Sequence, residues 1–264
     1  MKREGKTGRD NPLFVQVLEK GVHVLRSFTA QRKTMTLVEI AEATGLSKSS
    51  VQRLVYSLEV MGYVAKHPKT RRFHLTPKVM EIGYNYLAAD SLVDVANPFL
   101  AELTNATGET TNLMEPSDFE MVYVARFTSR RHIPIHMPIG SRIPMYCTAS
   151  GKAYLAALPP ASGDEMLRGM SLRAHTPHTI TDPRALESEI AAARTLGYAM
   201  NSEELYPGDV AIATAIQGGQ GAPIAALTII TPPSRWTVET IKQQLLPHLM
   251  ECARSISNAV RTFG

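Results

Sequence analysis

The chain has 264 residues, enough for two modest cores, with 44% hydrophobic residues, 20% charged residues and a net charge of +4. It contains no apolar run long enough to span a bilayer, and its charged start MKREGKTGRD lacks the apolar core of a signal peptide. Two cysteines, Cys147 and Cys252, without metal-ligand spacing fit a reducing cytoplasm better than a disulfide framework. The charge is unevenly placed. Residues 1–78 hold 15 Lys and Arg against 6 Asp and Glu, whereas residues 79–264 hold 13 against 18. A positive surplus confined to one segment is the electrostatic footprint of nucleic-acid binding.

Residues 1–12 read as a disordered basic arm. Leu13 to Ala30 is the first predicted helix, with Val17, Leu18, Val22, Leu25 and Phe28 at helical spacing, expected to pack across the next two helices. Thr36 and Glu39 form a capping box that starts a second helix with Leu37, Ile40 and Ala41 inward. Gly45 supplies the positive φ of a tight turn, Leu46 plugs the core beneath it, and Ser47 caps a third helix. Val51, Leu54, Val55 and Leu58 line the inner side of that helix. The pattern is a helix-turn-helix. The outward side carries Ser47, Lys48, Ser49, Gln52 and Arg53, with Ser50 and Thr36 completing the candidate DNA-contacting set. Hydroxyls and helix-start N–H groups hold phosphates, and Gln and Arg reach base edges. An ordinary capped helix pair fits the same spacing. The neighbouring segment favours DNA: Val64–Lys66 and Arg72–Leu75 read as two strands, with Lys69, Arg71 and Arg72 at the tip of a basic hairpin, a wing.

Thr76 and Pro77 start a linker helix with Val79, Ile82, Tyr86 and Leu87 on its apolar side, suited to a dimer contact. Ser91 to Ala106 is a further helix that Pro98 is expected to kink or break. Strand-like segments come next at 110–114, 120–127 and 133–137. A helix is predicted from about Thr148, a short one over 164–170, and another from the start signal Thr181-Asp182-Pro183 to Gly197. Three more strands and a last helix, bent at Pro247, complete an α+β domain with an antiparallel sheet flanked by helices.

The chemistry is sparse. Gly151-Lys152 lacks the glycine spacing of a phosphate-binding loop and is followed by Ala153. Cys147 reads as a small buried apolar residue. His132 with His136, and His175 with His178, have no cysteine or carboxylate at ligand spacing, so no metal is expected. No nucleophile, base and orienting group fall together, so no catalytic residues and no cofactor are expected. Tyr146 to Lys152 surrounds a helix start with polar groups. Such an end suits an anion, with Lys152 adding charge; equally, Thr148 or Ser150 caps the helix and Lys152 points to water.

The run Ala41-x3-GLSKSSVQRL, the following Gly62-Tyr63 and the basic hairpin ending FHLTPK resemble the isocitrate lyase regulator (IclR) family of bacterial transcription factors. So do GSRIPMYCTASGKA (140–153), TITDP (179–183) and GYAMNSEE (197–204), in the family's order. The resemblance runs from about Val15 to the C-terminus. It implies a winged helix-turn-helix domain (13–77), a linker helix (78–90) and a GAF-like effector-binding domain (91–264). It also implies promoter double-stranded DNA as partner, a homo-oligomer (a dimer or a dimer of dimers) and a small carboxylate effector, with the PMYCTASGKA stretch (144–153) closest to regulators of aromatic-acid and related carboxylate catabolism. The effector positions it carries over are Ile135, Ile143, Ala149, Ser150, Asn201, Asp209, Ala211, Thr228 and Ile230. Asn201 stands where many relatives have aspartate, and a neutral amide tolerates an anionic ligand better. The competing class is a small-molecule-binding or catalytic protein with an accessory helical N-terminal domain. The basic wing and the charge asymmetry favour the regulator.

Overall fold

The structure is a computed structural model that describes residues 8–129 and 137–263. The chain divides into two compact units between Tyr86 and Leu87. In the first, α1 (Gln16–Ser27), α2 (Leu37–Thr44) and α3 (Lys48–Val60) precede a hairpin of β1 (Val64–Lys66) and β2 (Phe73–Leu75). The Thr36 hydroxyl accepts the Glu39 N–H and the Glu39 carboxylate accepts the Thr36 N–H, so both halves of the capping box form. Gly45 ends α2 with φ 67°, in the left-handed region that favours glycine. The Ser47 Oγ accepts the Ser50 N–H at the start of α3. Val24, Phe28, Ile40, Val51, Val55, Leu58 and Phe73 form the core, and Leu46 packs against it. Met35 exchanges two backbone hydrogen bonds with Phe73 and ties the hairpin to the segment before α2.

One expectation for α1 needs correction. Val17, Leu18 and Val22 are exposed within this unit, and only Val24, Leu25 and Phe28 face the core. A helix can carry two apolar stripes, and a three-helix core can cover only one of them.

Helix α4 (Met80–Ala89) contains the division, and α5 (Ser91–Thr107) is the first helix wholly in the second unit. The expected break at Pro98 is absent: α5 runs through it and ends at Gly108, φ 71°. Proline removes one helix hydrogen bond, but core residues on both sides of it, Leu92, Val93 and Ala96 before and Leu100 and Leu103 after, hold the helix in place. Six strands make one antiparallel sheet in the order β5-β4-β3-β8-β7-β6. They are β3 (Thr110–Ser117), β4 (Glu120–Phe127), β5 (Arg142–Pro144), β6 (Ala199–Ser202), β7 (Val210–Gln217) and β8 (Pro223–Thr231). The predicted strand at 133–137 falls almost wholly outside the described residues, and so do Ile135, His132 and His136.

The period-two alternation of the strands sorts the sheet into two faces. Leu113, Ile212, Leu227 and Ile229 point to α5 and to α10 (Leu246–Phe263). A short helix, α9 (Val238–Thr240), and a π-helical turn (Ile241–Leu245) lead into α10, so the bend expected at Pro247 is a widened turn just before it. Met114, Ala211, Ala213 and Ala226 point the other way. That face is covered by α6 (Ala149–Ala157), with α7 (Pro160–Arg168) and α8 (Pro183–Leu196) outside it. The small alanines of β7 and β8 let α6 lie close to the sheet.

Candidate functional sites

On the first unit, α3 presents Lys48, Ser49, Gln52 and Arg53 to solvent, while Ser47 and Ser49 share a hydroxyl–hydroxyl hydrogen bond of 3.2 Å at its start. Ser50 is half-buried, with its N–H taken by Ser47. The Thr36 oxygen is used in its own cap, so only its proton remains to offer a phosphate. At the hairpin tip Lys69 and Arg71 are exposed, and Arg71 sits at φ 60°, held by its N–H to the His67 carbonyl at 2.9 Å.

Arg72 departs from the sequence reading. Its guanidinium donates to both Glu39 carboxylate oxygens (2.9 and 2.7 Å), and to the Thr34 carbonyl (2.9 Å) and hydroxyl (3.0 Å). Glu39 thus joins the α2 cap to the wing. The Thr36 N–H and then Arg72 hold its carboxyl below the usual carboxylate range. Arg72 acts as a clamp between wing and helix, with its Nε and Nη2 donors already on acceptors.

On the second unit, the candidate residues gather on the sheet face beneath α6. Cross-strand pairing aligns Asn201 with Ala211, Ala211 with Ile230, and Thr228 with Asn112, all on that face. Ile143 on edge strand β5 joins the same cluster. The Thr148 hydroxyl accepts the Gly151 N–H, which leaves the N–H groups of Ala149 and Ser150 without acceptors among the described residues. Asp209 lies just ahead of β7, and burial pushes its carboxyl up to about 6, opposed by the nearby Arg126 guanidinium.

Two polar side chains stand out here. Asn112 is fully buried, and among the described residues neither its amide oxygen nor its amide nitrogen has a partner; the Thr228 hydroxyl directly across the ladder has none either. A buried polar group left unpaired costs on the order of 1–3 kcal/mol. Three such atoms lie side by side on the sheet face beneath α6.

Lys152 follows neither of the alternatives its sequence position allowed. It lies fully inside, 2.5 Å from Glu204, with side-chain exposures of 2% and 7% for the pair. Asn201 is partly committed as well, since its Oδ1 accepts the Glu204 N–H at 3.0 Å. The Thr176 and Thr179 hydroxyls donate to the Glu203 and Glu204 carbonyls at 2.6 Å each, bracing this corner. Tyr146 donates to the Arg173 carbonyl (2.8 Å) and lies 2.9 Å from His175 Nε2, fastening the same loop. Cys147 is wholly buried and its thiol is pushed up to about 12, chiefly by burial, so it is not a thiolate nucleophile. Among the described residues no three His, Cys, Asp or Glu side chains converge as a metal site would need.

Comparison with known proteins decides the class. The model of the IclR helix-turn-helix domain matches residues 17–68, and that of the bacterial transcriptional regulator IclR C-terminal domain matches residues 84–258. The chain belongs to the IclR family. It is 30% identical to the Pca regulon regulatory protein of Pseudomonas putida over 247 residues, 93% of this chain and 84% of that one. The crystal structure of Thermotoga maritima IclR superposes with a TM-score of 0.71 at 31% identity, covering 93% and 98% of the two chains. An IclR homolog from Microbacterium hydrocarbonoxydans, complexed with 4-hydroxybenzoate, superposes at 0.77 with 25% identity, covering 93% and 99%.

This IclR-family chain is therefore a transcriptional regulator with a helix-turn-helix DNA-binding domain, and the catalytic alternative falls away. No helix among the described residues is long and apolar enough to cross a membrane. Sequence reasoning missed Asn112, Arg126 and Glu204. Asn112 sits inside a strand-like apolar run, where a lone amide carries a signal only once its neighbours are known. Glu204 stood within the quoted GYAMNSEE motif, but nothing local paired it with Lys152.

Proposed function

We propose that this regulator binds promoter DNA through α3 and the wing tip, and that a small carboxylate held under α6 changes that binding. In this reading residues 13–77 are the DNA-binding domain, 78–90 the linker helix and 91–264 the effector domain of a cytoplasmic homo-oligomer, a dimer or a dimer of dimers. The exposed apolar residues of α1 and α4, among them Leu18, Ile82 and Tyr84, supply surface for such contacts.

The observation that carries the effector site is the trio of unpaired atoms on Asn112 and Thr228. The carboxylate meets the N–H groups and hydroxyl at the α6 start, near Ala149 and Ser150. Ile143, Ala211 and Ile230 form the apolar wall, and Asn112 with Thr228 meets a second polar substituent. Asn201 and Asp209 border the site. A hydroxylated aromatic acid has this pattern of groups, and a homolog is known with 4-hydroxybenzoate bound. The test is the double variant Asn112→Leu/Thr228→Val, with calorimetry against a panel of hydroxybenzoates and short aliphatic acids. Removing unpaired polar groups leaves thermal stability unchanged or raised. Affinity for the best acid should fall at least about tenfold, the worth of one hydrogen bond to a charged or well-buried group. Full affinity in the variant would place the effector elsewhere.

The DNA face has its own test. Arg53→Ala should weaken binding to a preferred site more than to random duplex. Arg71→Ala should weaken binding to all duplexes and lower the salt slope by about 0.9, the value of one neutralised phosphate. Arg72→Ala should leave the salt slope unchanged and instead loosen the wing, with only a slight fall in stability, because the Arg72–Glu39 pair is 35% and 43% exposed. A lowered slope in Arg72→Ala would restore it as a phosphate contact.

A further inference from the structure

We infer that Tyr56 reads a thymine through its 5-methyl group and so helps to set operator specificity. The inference rests on the DNA-binding reading of α3. The helix buries Val51, Val55 and Leu58. The opposite side is lined by Ser49, Gln52 or Arg53, and Tyr56, spaced three, four and seven residues apart, so the tyrosine falls on the same line as the polar readers. Seven residues rise about 10.5 Å, so Ser49 and Tyr56 bracket roughly three base-pair steps.

Tyr56 is 67% exposed, and its side chain has no hydrogen bond, ion pair or ring contact among the described residues. Nothing within its own unit explains a large aromatic ring there. The first two turns of the helix carry Lys48 and Arg53 and no acid, so the start of this face attracts a polyanion, and Tyr56 follows one turn after Arg53, with Glu59 one turn beyond it. In a major groove, Gln and Arg make hydrogen bonds to purine edges. A phenol can offer one hydrogen bond through its hydroxyl but not such bidentate pairs, whereas its apolar body can cover the apolar feature of the groove, the thymine methyl.

The experiment is selection of binding sites from a random duplex pool by the full-length protein, with wild type, Tyr56→Phe and Tyr56→Ala in parallel. Tyr56 is exposed, so each variant is expected to melt with the wild type. Wild type and Tyr56→Phe should enrich the same site. Tyr56→Ala should enrich the same core but lose a thymine preference at one position of each half-site. Replacing that thymine by deoxyuracil should weaken wild type and Tyr56→Phe about fourfold, the worth of one buried methyl, and Tyr56→Ala not at all. An identical site for Tyr56→Ala, or equal weakening on every sequence as a phosphate contact would give, overturns the inference. Failure of the wild type to enrich any sequence overturns the DNA reading itself, and this inference with it.

Discussion

Gly151→Ala should unfold the effector domain at far lower temperature than wild type. A Cβ on residue 151 would lie 2.5 Å from the Met145 carbonyl carbon and closer still to its Cα and oxygen, distances that real Cβ atoms do not show. The obstacle is backbone, so no side-chain rotation relieves it. Either α6 lifts from the Met145 segment or the sheet beneath it moves, and both are packed in the same core. Overpacking of this kind costs about 3 kcal/mol or more. For a domain of this size that corresponds to a fall in midpoint of roughly 6–12 °C. The proper control is Gly21→Ala in α1, where nothing lies within 4 Å of the added carbon. That change should be neutral or stabilising by about 0.5–1 kcal/mol, because alanine favours a helix. Differential scanning calorimetry of both variants checks the pair, and an unchanged midpoint in Gly151→Ala would show that α6 is not seated as described. The glycine that failed as a phosphate-loop residue is thus required by the close crossing of two chain segments.

Lys152→Met should be as damaging, for an electrostatic reason. The substitution preserves volume but strands the Glu204 carboxylate, whose Oε1 loses the Lys152 ammonium and whose Oε2 already lacks a partner among the described residues. Removing one member of a buried pair typically costs about 3–5 kcal/mol. The paired change Lys152→Met/Glu204→Leu removes both charges and should recover most of the loss, because the desolvation of each ion disappears with it. The measurement is a double-mutant cycle of unfolding free energies from denaturant titration. Additive losses would mean that the two residues act separately and that the pair does not hold α6 to the corner after β6. The same variants separate structure from ligand binding: the double variant keeps the Asn112–Thr228 surface and should keep acid affinity within a few-fold.

What was legible in the sequence was local. The α2 cap, the Gly45 turn, the Ser47 cap and the hairpin depend on residues within a few positions of each other, and their stereochemistry makes those signals readable one segment at a time. The same holds for the placement of α8 between Asp182 and Gly197, and for the charge surplus of residues 1–78. The sequence by itself therefore determined the helix-turn-helix, the wing, the α+β character of the second unit and, through the motifs at 41–75 and 140–204, the family. Only the tertiary structure decided which polar residues face what. Asn112 faces Thr228 only because β3 and β8 pair in one register, and a slip of one residue would turn the shifted strand's residue to the other face. Lys152 meets Glu204 across 52 residues, and Arg72 meets Glu39 across 33, so both cations that looked available to ligand or DNA are claimed by distant carboxylates. Periodicity can say that a residue lies on a face. The partner that waits there is set by packing, because a charge or amide in a low-dielectric interior is held by whatever the fold brings within hydrogen-bond reach.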